Sequence, residues 1–157
     1  MERLTIEVCS QAEALTLAAA AREKTAVVSI TSTGDEAVAF PENPNIEGIL
    51  RLRFNDLVTE YDEEGFPYGR PLPKQEDLVG LKAFVDGLSC PRLIVHCWEG
   101  ASRSAAVAAA IYEYRGRRDT LQTGRRFAPN PLVYALACRE LGIRQGDPRC
   151  LGRHISD

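Results

Sequence analysis

The sequence predicts an α/β fold, in which a central, mostly parallel, twisted sheet of about four or five strands is flanked by helices. Short runs rich in β-branched residues alternate with longer segments whose apolar residues recur at helical spacing. Such alternation is typical of parallel sheets, because each return to the same sheet edge needs a crossover connection. The 157 residues, 45% of them hydrophobic, suit one domain, which we expect at 1–145 with a polar tail at 146–157.

The first half of the chain predicts a strand, a helix and two further strands. Apolar and polar residues alternate over 4–8. A helix over 11–22 follows, because Ser10 and Glu13 have the spacing of a capping box. The next two strands are a β-branched run and a second alternating segment, at residues 25–31 and 47–54.

The second half predicts a helix, a strand and three further helices. Apolar residues at helical spacing predict a helix over 74–88, and a buried strand begins at Arg92. An alanine-rich segment, apolar nearly all round, predicts a buried helix at 105–112. The last two helices are a short one that ends at Phe127 and one that begins at Pro131, with Asn130 as its N-cap.

A short loop joins the strand at Arg92 to the alanine-rich helix. A strand–loop–helix turn directs backbone N–H groups and the positive end of the helix to one spot, which binds an anion. The loop ends with Arg103, whose planar guanidinium can hold two phosphate oxygens. It starts with Cys97, and these fields favour a thiolate there. The pattern predicts transfer of a phosphoryl group to sulfur.

Residues 96–104 read His-Cys-Trp-Glu-Gly-Ala-Ser-Arg-Ser. This segment resembles the signature of the cysteine-dependent protein tyrosine phosphatases, most closely that of the dual-specificity branch. By order of elements the resemblance extends over residues 47–141, and it implies the dual-specificity phosphatase fold. It also implies a hydrolase that cleaves phosphomonoesters through a cysteinyl-phosphate, without a cofactor or a metal.

Roles follow for the residues of this segment. Cys97 is the expected nucleophile, and Arg103 is expected to bind phosphate and stabilise its equatorial oxygens. The resemblance implies that Ser104 offers its hydroxyl to the sulfur, and that His96 orients the loop without touching substrate. The expected phosphate cradle consists of Trp98, Glu99, Gly100, Ala101, Ser102 and Arg103.

The leaving oxygen must be protonated, so a carboxylic acid is needed within reach. Asp56 is the first candidate, because it ends the third strand at the sheet edge where parallel sheets bind ligands. The alternative is Asp62, in an acidic loop at 57–73 that is long enough to form a lid or a binding rim. Either residue could instead be a turn aspartate.

Composition and charge argue against several classes of function. A net charge of −3 gives no basic field for nucleic acid or anionic lipid, and no apolar run approaches a membrane span of about 20 residues. The first residues lack a signal-peptide pattern. Five cysteines without CxxC spacing argue against a disulfide scaffold and zinc, and favour the cytoplasm. Cys9 could still approach Cys97 and form a protective disulfide.

The sequence indicates the class of substrate less clearly than the type of reaction. No lysine or second arginine lies within 98–102, and Glu99 would repel extra phosphates. This favours phosphotyrosine or phosphoserine/threonine in proteins over polyanionic substrates. The alternatives are a phosphatase for a non-protein phosphate ester and a catalytically weak phosphopeptide-binding module. A rhodanese-type sulfurtransferase fits the spacing of the loop less well. A thiol-based arsenate reductase fits the position of the motif in the chain less well.

Overall fold

The computed structural model describes residues 3–124 and 126–148. The strands are β1 (Thr5–Ser10), β2 (Thr25–Thr31), β3 (Ile46–Arg53), β4 (Arg92–Cys97) and β5 (Thr120–Gln122). The helices are α1 (Gln11–Ala20), α2 (Leu81–Asp86), α3 (Arg103–Tyr114) and α4 (Pro131–Leu141). A 3₁₀ turn, Gln75–Leu78, precedes α2.

The five strands form one sheet in the order β3-β2-β4-β1-β5, and all their pairings are parallel. The predicted α/β class, with a parallel sheet flanked by helices, is confirmed. Because β4 lies between β1 and β2, the chain crosses the sheet on both faces. The carboxyl ends of β1, β2 and β4 therefore meet in the middle of one sheet edge.

Helices cover both faces of the sheet. A small apolar cluster, which includes Cys9, Ala14 and Val27, lies between α1 and one face. The larger core lies on the opposite face, under α2, α3 and α4. In α3 every residue from Arg103 to Tyr112 is buried, because its alanines let the helix pack closely against both the sheet and α4.

The short helix predicted to end at Phe127 is wrong. Residues Thr120–Gln122 instead form β5, an edge strand in parallel register with β1. Asp119 secures this pairing, since its Oδ1 accepts the N–H of Leu4 at 2.9 Å and its Oδ2 pairs with Arg115 at 2.6 Å. An isolated short helix is marginal, whereas the open edge of β1 offers ladder hydrogen bonds.

The helix predicted at 74–88 is interrupted. The 3₁₀ turn and α2 are separated at Gly80, whose φ of 95° no regular helix contains. The apolar spacing was nevertheless informative, because Leu78, Leu81 and Val85 are all buried.

None of the helices in 3–124 and 126–148 is long and apolar enough to cross a membrane. Of the tail predicted at 146–157, residues 149–157 lie outside the described part of the chain.

Candidate active site

A cavity of about 300 Å³ opens at the carboxyl ends of β2, β3 and β4. It brings together segments that are far apart in sequence. Its lining consists of Ser32, Asn55, Asp56, Leu57, Arg70, Cys97, Trp98, Glu99, Ser102 and Arg103. The nucleophile, the arginine and the first-choice acid predicted from the sequence all contribute to this one cavity.

Carbonyl groups of the loop between β4 and α3 accept hydrogen bonds from neighbouring segments. Trp98 O accepts from Gln11 N at 3.3 Å, Ala101 O from Ala128 N at 2.9 Å, and Ser102 O from Asn130 N at 3.2 Å. The amides of Glu99, Ala101 and Ser102 donate to no acceptor among the described residues. Glu99 and Ser102 line the cavity, so their N–H groups, together with the N-terminus of α3, are available to a bound anion.

Gly100 lets this loop pack against the end of β1. Its φ is 78°, and a Cβ built on it would lie 2.3 Å from the carbonyl carbon of Cys9 and 2.5 Å from Ser10 N. Any other residue would combine a strained backbone with a steric clash. The close approach also directs the Gly100 N–H to Cys97 Sγ, at 3.3 Å.

Cys97 ends β4 with its sulfur almost enclosed, since the residue is only 2% exposed. Its Sγ lies 3.1 Å from Ser104 Oγ, in the first turn of α3, and receives the Gly100 N–H. The Gly100 N–H donates to the sulfur, whereas either atom can be the donor in the contact with Ser104. Ser104 therefore lies beside the sulfur as the family resemblance implies.

Arg103 is buried at the start of α3, with 6% of its surface exposed. Its Nη1 donates to Phe54 O at 3.0 Å and to Ser32 Oγ at 2.9 Å, so the ends of β3 and β2 hold the guanidinium. Its buried Nε has no hydrogen-bond partner among the described residues. An unsatisfied buried donor costs about 1–3 kcal/mol, which an anion in the cavity would offset.

His96 lies behind the loop and is fully buried. Its Nε2 is 2.7 Å from Ser29 Oγ and its Nδ1 is 3.3 Å from Cys97 O. Because a carbonyl can only accept, these contacts assign the proton to Nδ1 and make Nε2 the acceptor of the Ser29 hydroxyl. Burial lowers the pKa of His96, and the positive charge of Arg103 lowers it further. The neutral ring thus orients the start of the loop.

The two candidate acids occupy different surroundings. Oδ1 of Asp56 accepts from Ser102 Oγ and from Asn130 Nδ2, each at 2.8 Å, at the cavity wall. Asp62 lies in a small hairpin, where its Oδ1 accepts the N–H groups of Glu64 and Phe66 at 2.9 Å. Asp62 is not among the residues that line the cavity. The contacts of Asp62 are those of a turn aspartate, whereas Asp56 is fixed beside the cysteine loop.

Several residues at or beside the cavity were missed as site residues, among them Ser32, Arg70 and Asn130. Arg70, from the 57–73 loop, lines the wall, although the sequence of that loop is mainly acidic. Asn130 was predicted only as the cap of α4, but its amide also holds Asp56. A Pro-Asn pair that recurs near this place in the resembled family was the one available signal, and it concerned Asn130 alone.

The remaining predicted residues are more peripheral. Trp98 is 68% exposed, and Glu99 has an exposed side chain whose carboxylate is 4.0 Å from Arg126.

Cys9 packs in the cluster under α1, whereas Cys97 belongs to the core on the opposite face. Both are free thiols, so the suggested protective disulfide is not formed. The described residues contain no His, Cys, Asp or Glu group that could hold a metal ion.

The cavity thus combines a nearly enclosed thiol, a buried guanidinium with a free N–H, the unpartnered amides of Glu99 and Ser102, and a fixed carboxylate. This set can capture a tetrahedral anion and attack its central atom. Comparisons with protein-family models and with curated proteins found no match to this chain.

Proposed function

We propose that the chain is a phosphatase that hydrolyses phosphomonoesters through a cysteinyl-phosphate, on a fold like that of the dual-specificity phosphatases. One observation supports the proposal most strongly. The hydrogen-bonded sulfur of Cys97 shares a cavity with Arg103, whose buried Nε lacks a partner in the described structure. A nucleophile beside a buried guanidinium is the arrangement that phosphoryl transfer to sulfur requires.

In the first step, Cys97 Sγ attacks phosphorus and the bond between phosphorus and the ester oxygen breaks. Asp56 gives its proton to the leaving oxygen. Arg103 and the loop amides bind the three equatorial oxygens while their charge redistributes. The electron pair of the broken bond leaves with the alcohol or phenol, and the phosphoryl group stays on sulfur.

In the second step, water attacks the phosphorus of the cysteinyl-phosphate. The carboxylate of Asp56 now accepts a proton from that water, and the bond between sulfur and phosphorus breaks. The Ser104 hydroxyl, 3.1 Å from the sulfur, stabilises the departing thiolate by a hydrogen bond. Inorganic phosphate leaves and the enzyme returns to its starting state without a metal or a cofactor.

The proposed substrates are phosphotyrosine or phosphoserine/threonine residues of proteins, with a non-protein phosphate ester as the alternative. The rim of the cavity supports a protein substrate, because the exposed side chains of Trp98 and Glu99 can contact a chain beyond the phosphate. The proposed location is the cytoplasm. The four cysteines of the described part are all free thiols, and a reducing compartment keeps Cys97 active.

The test is hydrolysis of phenyl phosphate in the presence of a chelator and a reductant. We expect turnover by the wild type, none by Cys97→Ser, and normal turnover by Cys90→Ser. Cys90 is the matched control, since it is a buried thiol that lies before β4 at the opposite sheet edge, where its Sγ donates to Arg92 O at 3.3 Å. Turnover that survives in Cys97→Ser would refute the mechanism. A folded wild type without turnover would make the phosphopeptide-binding module the better hypothesis.

A further inference from the structure

Arg70 is a second cation at the cavity that the proposed mechanism does not use. It comes from the 57–73 loop and lines the same wall as Cys97 and Arg103. Its guanidinium makes no hydrogen bond or ion pair with any residue in 3–124 and 126–148. Of the nearby carboxylates, Asp56 accepts from two donors, and Glu99 lies 4.0 Å from Arg126 with both side chains largely exposed.

The backbone that carries Arg70 is anchored to the sheet. The next residue, Pro71, accepts a hydrogen bond of 3.0 Å at its carbonyl from Asn55 Nδ2. The side chain of Asn55 is itself bonded to Thr33, after β2, at 2.9–3.2 Å. A fixed φ at Pro71 and this buried amide hold the segment beside the end of β3. Arg70 is therefore held at the cavity wall, exposed to solvent, rather than at the end of a free loop.

The cradle does not need Arg70 for a single phosphate. The unpartnered amides of Glu99 and Ser102 and the guanidinium of Arg103, all from residues that line the cavity, already offer N–H groups to the three non-bridging oxygens. An unpaired guanidinium outside that cradle has the planar fork that binds a carboxylate or a second phosphate. Asp56 and Glu99 would repel such a group elsewhere on the rim.

We propose that Arg70 is a subsite for a second anionic group on the substrate, a carboxylate or a phosphate close to the phosphate that is cleaved. The assignment of the cleaved phosphate rests on the proposed function. The sequence showed no second cation within the cysteine loop, and the fold supplies one from a segment distant in sequence. Substrates with two neighbouring anionic groups should accordingly be preferred.

A binding experiment tests this without turnover. Phosphate and pyrophosphate are titrated calorimetrically into Cys97→Ser protein, alone and combined with Arg70→Gln. We expect Arg70→Gln to lower the ratio of the pyrophosphate to the phosphate association constant by about fivefold, as for a partly exposed charge pair. Arg22→Gln makes the same charge change between α1 and β2, at the opposite sheet edge, and should leave the ratio unchanged.

A kinetic experiment distinguishes a carboxylate from a phosphate as the second anionic group. Turnover (kcat/KM) is compared for phenyl phosphate and 3-carboxyphenyl phosphate, with wild type, Arg70→Gln and Arg22→Gln. Loss of preference for both pyrophosphate and the carboxylate identifies a general anion subsite, and loss for pyrophosphate alone identifies a second-phosphate subsite. An Arg70→Gln substitution that changes neither the pyrophosphate-to-phosphate binding ratio nor the preference for the carboxylate ester overturns the proposal; an equal loss of affinity for both ligands counts as an unchanged ratio. Failure of the wild type to turn over either ester would refute the proposed function and leave the binding test of Arg70 intact.

Discussion

Asn130 donates a hydrogen bond of 2.8 Å from its Nδ2 to Oδ1 of Asp56, although 74 positions separate the two residues. The opposite end of the same amide begins α4, because Oδ1 of Asn130 accepts the N–H groups of Leu132 and Val133 at 3.0 Å. One buried side chain therefore serves both a helix and the candidate general acid. The two roles use different atoms, so a substitution can separate them.

Asn130→Ser should keep the helix cap and lose the support of Asp56. A serine hydroxyl caps a helix about as well as an asparagine, so we expect the unfolding free energy to fall by less than about 1 kcal/mol. Without the Nδ2 donor the carboxyl is less well placed, and kcat should fall by roughly tenfold.

The control is Asn130→Ala, which should lose both stability and activity because it removes the cap as well. Denaturant unfolding and steady-state kinetics on phenyl phosphate measure the two effects. An Asn130→Ser protein with unchanged kcat would show that Ser102, the other donor to Asp56, positions the carboxyl without help.

Asp56→Asn and Asp62→Asn should have very different kinetic effects. An amide cannot protonate the leaving oxygen, so Asp56→Asn should lower kcat by about 10²- to 10⁴-fold. The loss should be greater for an alkyl phosphate than for a nitrophenyl phosphate, because the poorer leaving group needs the proton more. Asp62→Asn keeps an acceptor for its hairpin amides and should leave kcat within about twofold of the wild type. The reverse result would reassign the acid to Asp62.

Local signals predicted those elements whose determinants lie close together in the sequence. The capping box is formed, with hydrogen bonds of 3.1 Å in both directions between Ser10 and Glu13, and Asn130 caps α4 as its sequence position suggests. In each case the signal and the structure it determines lie within one helical turn. The strand that ends in Cys97 was recognisable for a similar reason, because its own residues are almost all buried.

Features that depend on distant partners were not predictable from such patterns. The strand β5 is too short to show a period, and the residue that precedes it, Asp119, bonds to Leu4, 115 positions away. The place of Arg70 at the cavity depends on the hydrogen bond of Pro71 to Asn55, 16 positions away in an irregular loop. Asp56 could be selected from its strand-end position, but its donors Ser102 and Asn130 emerged only from the fold.

Gly100→Ala should disable the loop through a clash rather than through backbone strain alone. Its Cβ would meet the backbone of Cys9 at 2.3 Å, so the loop must move away from β1 and the N–H contact with Cys97 Sγ is lost. We expect a loss of stability of more than about 2 kcal/mol and near-complete loss of phenyl phosphate hydrolysis.

Gly65→Ala is the matched control for that clash. Gly65 has a φ of 90°, but nothing lies within 4 Å of the position its Cβ would take. It should therefore show only the backbone strain, about 1–2 kcal/mol, with activity close to that of the wild type. Thermal unfolding and kinetics of the two variants measure the difference. Equal behaviour would mean that the loop tolerates movement away from Cys9.

His96 should make the folded protein sensitive to mild acid. Burial lowers its pKa below the ordinary value of 6.5, so the unfolded chain binds the His96 proton more readily than the folded chain. The stability that the neutral ring contributes is therefore present above pH 6.5 and is lost as the pH falls from there toward the lowered pKa. Within that window the unfolding free energy should fall by up to about 1.4 kcal/mol per pH unit.

His96→Gln removes this titration and can still bond to Ser29 and to the carbonyl of Cys97. The comparison is made in a His154→Gln background, so that His96 is the sole histidine of the chain. We expect the unfolding free energy of the His96 protein to drop relative to that of the Gln protein between pH 7 and pH 5, because only the former takes up a proton on unfolding. Denaturant unfolding at several pH values measures this difference. Parallel stability curves for the two proteins would mean that the ring titrates alike in both states, contrary to its burial.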